Sequence, residues 1–251
     1  MERRTLLQSA AAVTTGALLP TAVSTGTASG TTTATTTGAA GTTTSGSPLR
    51  RVHIVLFDGV EELDFAAPLE TLDIASKFGA PIETTLVTCD GPRTIVASCG
   101  SRIQVTAPWQ PENADVILVP GGYARDPDRP GVAREIKRGV IPAALRAARR
   151  TRPVMASVCV GALLLGAAGL VRGRPCTTHH MSKDKLAEQG GKVVDARVVD
   201  DGDLVTSAGV TSGLELALWL VQRGHGIDVS LNVERVLEYE RRGAVYRTGR
   251  D

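Results

Sequence analysis

The sequence predicts an α/β domain in which helices cover both faces of a mainly parallel β-sheet. Two observations lead to this prediction. From Val52 onward, short β-rich apolar runs alternate with stretches of helical spacing, and no internal repeat breaks the alternation. One domain of about 200 residues accounts for the whole alternating region.

Each predicted element follows from its own pattern. Four apolar runs are predicted to be strands of the sheet: 52–57 (VHIVLF), 84–89 (TTLVTC), 116–120 (VILVP) and 153–158 (PVMASV). Two further runs after Gly91 predict a small β-hairpin: 94–98 (TIVAS) and 102–107 (RIQVTA). Four stretches predict helices, and the first of them ends on glycine, a favoured stop: 67–79, 181–191, 211–224 and 228–242.

Composition and charge limit the classes of function. The 251 residues are 42% hydrophobic and 22% charged, which is typical of a globular domain. The formal net charge is only +2, the basic residues are scattered, and aromatic residues make up 3% of the chain. Neither a phosphate-tracking stripe nor a base-stacking platform is visible, so we expect no nucleic-acid partner.

The N-terminus has the features of an export signal. Arg3 and Arg4 precede a short apolar segment that ends at Pro20, and this order indicates twin-arginine export, with residues 1–28 as the signal. The segment is too short to span a bilayer of roughly 30 Å, so no stable membrane anchor is expected after cleavage. The chain would then be extracytoplasmic. A disordered tail with a chance arginine pair is the alternative.

A low-complexity segment follows the predicted signal. Residues 29–50 are rich in Thr, Gly and Ser, and such a composition buries too little apolar surface to offset the entropy of ordering it. We therefore predict a flexible spacer, followed by the α/β domain at residues 51–251.

The four cysteines raise the question of disulfides in an exported protein. Cys89 and Cys99 flank a predicted turn region, and they can pair only if the fold brings their Cα atoms within about 7 Å. The spacing alone supports this pairing weakly. Cys176 lies in an apolar strand and is predicted to belong to the core.

Cys159 is the candidate nucleophile. It follows the strand at 153–158, and a nucleophile on a sharp strand-to-helix turn needs small residues on either side, here Ser157 and Gly161. The amides that begin the next helix, in the run 160–170, are predicted to face the sulfur and to lower the pKa of the thiol. A buried structural cysteine is the alternative.

Two other predicted strand ends carry residues suited to catalysis. Gly121 and Gly122 follow the strand at 116–120, and paired glycines can present backbone amides to an oxyanion, although such a pair often forms a simple turn. The first strand is followed by a cluster of acids that includes Glu61, Glu62 and Asp64, and the simplest interpretation of Glu61 and Glu62 is that they are solvated. Asp64 either faces the crevice or caps the next helix, and spacing leaves this choice open.

Four blocks in register carry a family resemblance. They are GVEELDFAAPLETL, VPGG, ASVCVGALLLGAAGLVRGRPCTTHH and LVTSAGVTSGLELALWLV. Together they resemble the PfpI-like superfamily of class I glutamine-amidotransferase-like proteins, in particular its isonitrile hydratase branch. The resemblance covers Arg51 to Arg223. It implies a flavodoxin-like three-layer sandwich and a homodimer.

The resemblance also implies a chemistry and a set of site residues. Cys159 would attack the terminal carbon of an isonitrile while Asp64 acts as general acid and base. Gly121, Gly122 and Val160 would supply backbone amides. The product would be an N-substituted formamide, released by water from a thioimidate on the sulfur. The implied substrate is a small molecule, and no metal or cofactor is required.

The chain departs from the family pattern at two places. Val160 stands where protease-like members carry a histidine and hydratases often carry a hydroxyl. His179 and His180 lie in a segment that resembles the protein deglycases, and we expect them either to shuttle protons or to make structural hydrogen bonds.

Three alternative functions follow on the same fold. One is a non-catalytic extracytoplasmic protein that binds a small molecule or senses redox state. A second is a glyoxalase-like thiol chemistry, for which Glu is expected at the position of Asp64. The third is the sensing half of an AraC-type regulator, which an export signal argues against.

Overall fold

The computed structural model describes residues 49–249. The predicted export signal at 1–28 and the predicted spacer up to residue 48 lie outside the described residues, so both stay predictions. The packed domain begins slightly earlier than predicted, because Leu49 is only 6% exposed and belongs to the core. The Leu49 carbonyl also contacts Nε2 of His225 at 2.6 Å.

Within residues 49–249 the strands are short and spread along the chain. They are β1 (Arg51–Val55), β2 (Glu83–Val87), β3 (Arg93–Val96), β4 (Arg102–Val105), β5 (Val116–Val119), β6 (Val154–Ser157), β7 (Pro175–Cys176), β8 (Lys192–Val193), β9 (Val198–Asp200), β10 (Leu204–Ser207) and β11 (Tyr246–Arg247). The four predicted sheet strands correspond to β1, β2, β5 and β6, and the predicted hairpin to β3 and β4.

A seven-stranded sheet forms the centre of the domain, in the order β11-β9-β10-β6-β5-β1-β2. The neighbours from β10 to β2 all pair in parallel. Only the edge departs from this pattern, since β9 runs antiparallel to β10 and β11 runs parallel to β9. β3 and β4 form a separate antiparallel hairpin. The predicted mainly parallel sheet with a small hairpin is confirmed.

Seven α-helices accompany the sheet in the described part of the chain. They are α1 (Glu62–Lys77), α2 (Val132–Arg138), α3 (Val140–Ala148), α4 (Ala162–Ala167), α5 (Lys183–Glu188), α6 (Ser212–His225) and α7 (Ile227–Leu237). They fall into two packed groups: α1, α6 and α7 contact one another, and α2, α3, α4 and α5 form the second group. Two helical layers around one sheet give the flavodoxin-like sandwich.

The core sits where the strands are covered on both sides. Every residue of β5 and of β10 is buried, which is expected for parallel strands with helices on both faces. Phe57, Ile54 and Leu118 are among the largest side chains that are fully buried. None of the helices at 49–249 combines the length and apolarity that a membrane crossing requires.

The structure differs from the predicted elements at several ends. The first helix begins at Glu62, five residues earlier than the pattern at 67–79 indicates. The last predicted helix stops at Leu237 because Glu238 adopts a left-handed conformation with φ 47°. The run after Cys159 contains only a six-residue helix, α4, preceded by a 3₁₀ turn. Short strands such as β9 and β11 carry too little pattern to be recognised.

Candidate active site

The candidate site lies at one edge of the sheet, where four parallel strands end side by side. β10, β6, β5 and β1 are consecutive neighbours, so the loops after them meet at their shared carboxyl edge. Cys159 follows β6, Gly121 and Gly122 follow β5, and the segment leading to Asp64 follows β1. Ligand sites in open parallel sheets form at such an edge, next to the point where strand order reverses.

Cys159 occupies a strained turn between β6 and α4. Its φ is 55°, a left-handed value that non-glycine residues rarely adopt. Tertiary hydrogen bonds hold this conformation: the Cys159 amide donates to the Ala208 carbonyl at 2.9 Å, and the Thr178 hydroxyl donates to the Cys159 carbonyl at 2.8 Å. Gly161 is required as predicted, because a Cβ there would collide with the carbonyl oxygens of Val119 and Pro120.

Asp64 lies in the first turn of α1, and its side chain points away from its own helix. The residue has no exposed surface. Its Oδ2 accepts a hydrogen bond from the Gly121 amide at 2.9 Å. Its Oδ1 has no partner among the described residues. The helix shows no side-chain capping bond, so the capping alternative for Asp64 is wrong and the crevice alternative is confirmed.

The Asp64 carboxyl and the Cys159 thiol are both buried and lie side by side, and each shifts the pKa of the other. The pKa of Asp64 is raised from 3.8 to about 7. Burial is the main cause and the charge of Glu61 adds to the rise, whereas the hydrogen bond from the Gly121 amide acts to lower the pKa. Burial also raises the pKa of Cys159 to about 12, and the adjacent Asp64 carboxyl adds to this rise. Burial therefore favours the neutral thiol at Cys159 and the protonated carboxyl at Asp64.

The prediction of a lowered thiol pKa is wrong. The amides of Val160 and Val210 do contact the sulfur and act to lower its pKa. Burial of the thiol and the nearby carboxyl outweigh them, because both disfavour a negative charge on sulfur. The helix that follows contributes little, since α4 has only six residues.

Gly121 and Gly122, the two glycines after β5, have different structural roles. A Cβ at Gly121 would stand 2.7 Å from Oδ2 of Asp64 and 2.9 Å from the Val160 amide nitrogen, so only glycine allows these groups to approach each other. The Gly121 amide is already donated to Asp64, which makes it a positioning group for the carboxyl and not the predicted oxyanion donor. Gly122 packs against the Gly59 carbonyl, where a Cβ would clash, and forms a β-bridge with Val60.

Glu61 and Glu62, which also follow β1, take part in a surface cluster. The Glu62 carboxylate accepts hydrogen bonds from the Cys99 amide at 2.9 Å and from the Ser98 hydroxyl at 2.9 Å. Although burial acts to raise it, these bonds lower the pKa of Glu62 to about 2. Ser98 also donates to Glu61, and the carboxylates of Glu61 and Glu62 lie within 4.8 Å of the Cys99 sulfur. The interpretation of both glutamates as merely solvated is therefore wrong for Glu62.

His179 and His180 lie beyond the cysteine, at the start of a 3₁₀ turn. Nδ1 of His179 accepts a hydrogen bond from the Met181 amide at 3.3 Å, and the two histidine rings are 4.3 Å apart. Burial, together with the charge of His180, lowers the pKa of His179. Neither ring hydrogen-bonds to Cys159 within the described residues. Of the two expectations for His179, the structural hydrogen bond is the one observed.

All four cysteines are free thiols. Cys89 and Cys99 therefore do not form the disulfide that the sequence left open. Cys99 is exposed and Cys89 is half-buried. Cys176 is fully buried in β7, as predicted.

The sequence alone did not identify the segment after β10 as part of the site. Val210 supplies an amide to the sulfur, and Ala208 supplies the carbonyl that accepts the Cys159 amide. Both follow β10, the parallel neighbour of β6. The apolar run 204–207 followed by small residues was the available signal, but only strand order shows that it lies beside Cys159.

The comparisons with known proteins agree with this geometry. The isonitrile hydratase of Pseudomonas putida is 33% identical over 190 residues, which cover 75% of this chain and 78% of that protein. The glutathione-independent glyoxalase DJR-1.2 of Caenorhabditis elegans is 32% identical over 112 residues, covering 45% of this chain and 56% of its own. The crystal structure of a THiJ/PfpI family protein from Pseudomonas syringae superposes with a TM-score of 0.67 at 26% identity, covering 79% of this chain and 77% of the other.

A family model extends the agreement to most of the domain. The model described as DJ-1/PfpI family matches residues 50–223. This range contains Asp64, Gly121, Cys159 and Val210, together with the loops that hold them. The resemblance drawn from the four sequence blocks is confirmed, and the chain belongs to the DJ-1/PfpI family.

Proposed function

We propose that the chain is a cysteine-dependent lyase that adds water to an isonitrile and yields an N-substituted formamide. One observation carries this proposal: a fully buried Asp64 carboxyl stands beside the Cys159 thiol with one oxygen held by Gly121 and the other unpartnered in the described structure. A carboxyl held in this way can donate and then accept one proton at a fixed place.

The first half of the proposed reaction uses the protonated carboxyl. The terminal carbon of an isonitrile carries a lone pair, and Asp64 would protonate it to give an electrophilic nitrilium ion. The Cys159 sulfur would then form a bond to that carbon, and its proton would pass to the Asp64 carboxylate. The result is a thioimidate, R–N=CH–S–Cys. A raised pKa of Asp64, about 7, suits this order because it keeps a proton available at neutral pH.

The second half needs water. Asp64, protonated again by the thiol, would give this proton to the thioimidate nitrogen and then accept a proton from the attacking water while the oxygen bonds to the carbon. The resulting intermediate, R–NH–CH(OH)–S–Cys, breaks its carbon–sulfur bond, and its hydroxyl proton passes to the sulfur, which releases the formamide and restores the Cys159 thiol. The amides of Val160 and Val210 contact the sulfur, so they would stabilise the developing thiolate as the bond breaks. Val160 contributes through its backbone, and this role does not depend on a hydroxyl side chain.

A glyoxalase-like reaction at the same cysteine is the second candidate. His179, whose ring lies close to Gly209 beside the site, is the observation that favours it, since a neutral imidazole can move the protons of an α-oxoaldehyde. Aspartate at position 64 favours isonitrile chemistry, because a glyoxalase-like site is expected to carry glutamate there.

The test is to incubate the purified full-length chain with an aryl isonitrile and to follow formamide by chromatography. We expect turnover that is lost in Cys159→Ala and in Asp64→Asn and kept in Cys99→Ala, which removes the exposed thiol outside the site. An α-oxoaldehyde is assayed in parallel. Turnover of the oxoaldehyde alone would replace the proposal with the second candidate, and turnover of neither would favour a binding or redox-sensing protein.

Export and assembly complete the proposed function. We propose export by the twin-arginine route and a homodimer of the mature chain. The dimer is supported by apolar side chains that α7 leaves exposed: Ile227, Leu231 and Val236. Light scattering on the purified protein tests the dimer. Fusion of residues 1–28 to a reporter that requires folded export tests the signal, with Arg3→Lys together with Arg4→Lys expected to block it.

A further inference from the structure

A cavity beside Cys159 extends beyond the residues that the proposed reaction uses. This cavity of about 330 Å³ lies next to the cysteine turn, and its lining includes Thr177, His179, Lys183, Arg197 and Ser212. This volume is at the lower end of the range for ligand pockets, roughly 300–1,000 Å³, so the cavity suits a small molecule or one end of it.

Three residues of the cavity lining also contact Cys159. Thr178, Ala208 and Val210 all line the cavity. The Thr178 hydroxyl and the Ala208 carbonyl bond to the backbone of Cys159, and the Val210 amide contacts its sulfur. Val210 thus lies between the sulfur and the cavity, and a substrate whose reacting carbon touches the sulfur can extend past Val210 into this cavity.

The N-terminus of a long helix faces the cavity. α6 has fourteen residues, and its first turn uses the amides of Ser212, Gly213 and Leu214 in hydrogen bonds to the carbonyls of residues 209–211. The Thr211 amide has no acceptor in the described part of the chain. Thr211 lines the cavity, so the positive end of the helix dipole and a free N–H are both available to an anion.

Two buried hydroxyls in the lining lack partners, which is an independent sign of a missing ligand group. Ser212 and Thr177 are each fully buried. Their hydroxyl oxygens have no hydrogen-bond partner among residues 49–249. A buried hydroxyl without a partner costs about 1–3 kcal/mol, so such groups are normally satisfied. A ligand that reaches both would satisfy them.

Charged side chains complete a surface that is rich in donors. Lys183 pairs at 2.6 Å with Asp195, a carboxylate that also lines the cavity. The Asp195 side chain is 95% exposed, so water screens its charge. Arg197 is held in place by Glu215 at 2.7 Å and donates to the Thr211 hydroxyl at 3.0 Å. Nδ1 of His179 is an acceptor, so the neutral ring carries its hydrogen on Nε2, next to Gly209.

The geometry points to a carboxylate-binding subsite in this cavity, so that the substrate is a small molecule with a carboxylate at the end opposite its reacting carbon. The Thr211 amide, the Ser212 hydroxyl and the Lys183 ammonium are the principal donors. The inference deepens the proposed function and rests on it for the identity of the reacting group. The subsite itself can be tested without any turnover.

The first experiment measures binding of butanoate and of butanamide, its neutral analogue, to the full-length chain by ligand-observed NMR titration. We expect butanoate to bind about tenfold more tightly, the worth of one charge-assisted hydrogen bond. Ser212→Ala and Lys183→Gln should each weaken butanoate binding by a similar factor of about ten. Neither should weaken butanamide as much.

Matched substitutions outside the cavity serve as controls. Ser101→Ala and Lys192→Gln change exposed residues that do not line it, and they should leave butanoate affinity unchanged. Ser212→Ala should also leave the melting temperature of the free protein unchanged or raised, since its hydroxyl has no partner to lose. Equal affinity for the two probes, or equal effects of cavity and control variants, would overturn the subsite.

The second experiment separates this inference from the proposed function. It compares kcat/KM for 4-isocyanobutanoate with that for its methyl ester. A preference of about tenfold for the acid, lost in Lys183→Gln, is the expected result. Equal turnover of acid and ester would overturn the carboxylate substrate while isonitrile hydration stands. Tight binding of butanoate without turnover of either isonitrile would leave the subsite standing and contradict the hydration chemistry.

Discussion

The Gly121 amide donates to Oδ2 of Asp64 at 2.9 Å and leaves Oδ1 as the one oxygen of this buried carboxyl without a partner. The bond joins the loop after β5 to the first turn of α1. It sets the orientation of the carboxyl, and because it also favours the ionised form, it keeps the pKa of Asp64 from rising further. The catalytic geometry that we propose depends on this contact.

Gly121→Ala should disable the site more than it destabilises the fold. The added Cβ would lie 2.7 Å from Oδ2 of Asp64 and 2.9 Å from the Val160 amide nitrogen, so the carboxyl must move. A displacement of this kind costs about 100-fold in turnover, and overpacking costs about 1–3 kcal/mol in stability. Steady-state kinetics and chemical denaturation measure the two effects.

Gly213→Ala is the matched control for this substitution. A Cβ at Gly213 would meet Pro68 at 3.3 Å and Val158 at 3.4 Å, contacts that a small shift can relieve, and alanine favours the helix. We expect nearly normal turnover and stability. Equal loss of activity in both variants would contradict the positioning role of Gly121.

Asp64 should make the stability of the protein depend on pH. Its pKa is raised from 3.8 to about 7 in the folded state, so the folded carboxyl resists ionisation. The contribution of Asp64 to the free energy of unfolding is therefore fully present below about pH 4. It is lost as the pH rises through about 7, and the loss is at most about 4 kcal/mol. Asp64→Asn removes this dependence while it keeps an acceptor for the Gly121 amide.

Denaturation of both proteins at pH 5 and at pH 8 measures the effect. The free energy of unfolding of Asp64→Asn should exceed that of the native sequence by more at pH 8 than at pH 5. A difference that does not change with pH would show that Asp64 ionises freely in the folded protein.

The left-handed backbone at Cys159 should affect the relative stability of the Cys159→Gly and Cys159→Ala variants. At φ 55° an L-residue pays about 1–2 kcal/mol that glycine avoids. Cys159→Gly should therefore be at least as stable as Cys159→Ala, although glycine is normally the less stable replacement. Melting temperatures of the two inactive variants test this, and a clearly more stable alanine variant would speak against a strained turn.

The four thiols should react with iodoacetamide in an order set by exposure and pKa. Cys99 is the exposed thiol and should be alkylated first at neutral pH. Cys159 should react slowly, because burial and the Asp64 carboxyl raise the pKa of its thiol to about 12. Asp64→Asn should accelerate labelling of Cys159 and leave Cys99 unchanged. Mass spectrometry of digested protein gives the order, and labelling of Cys159 before Cys99 would restore the idea of an activated thiolate.

Much of the fold could be predicted because its strands are buried on both faces. Runs such as 116–120 are continuously apolar for that reason, and they stand out from the helical stretches between them. The edge of the sheet was harder to predict. β11 is only two residues long and exposed, so packing leaves no pattern in its sequence. The candidate nucleophile and the acid were predictable from strand ends and from the family resemblance.

The sequence by itself determined the class of fold, the family, and the identity of Cys159 and Asp64 as the residues of interest. These depend on local patterns: apolar runs, small residues around a turn, and blocks in register. Only the tertiary structure decided what the residues do to one another. The pKa of Cys159 rises and does not fall, Gly121 serves the carboxyl, and Val210 reaches the sulfur, because burial and distance between strands that are far apart in sequence set these properties.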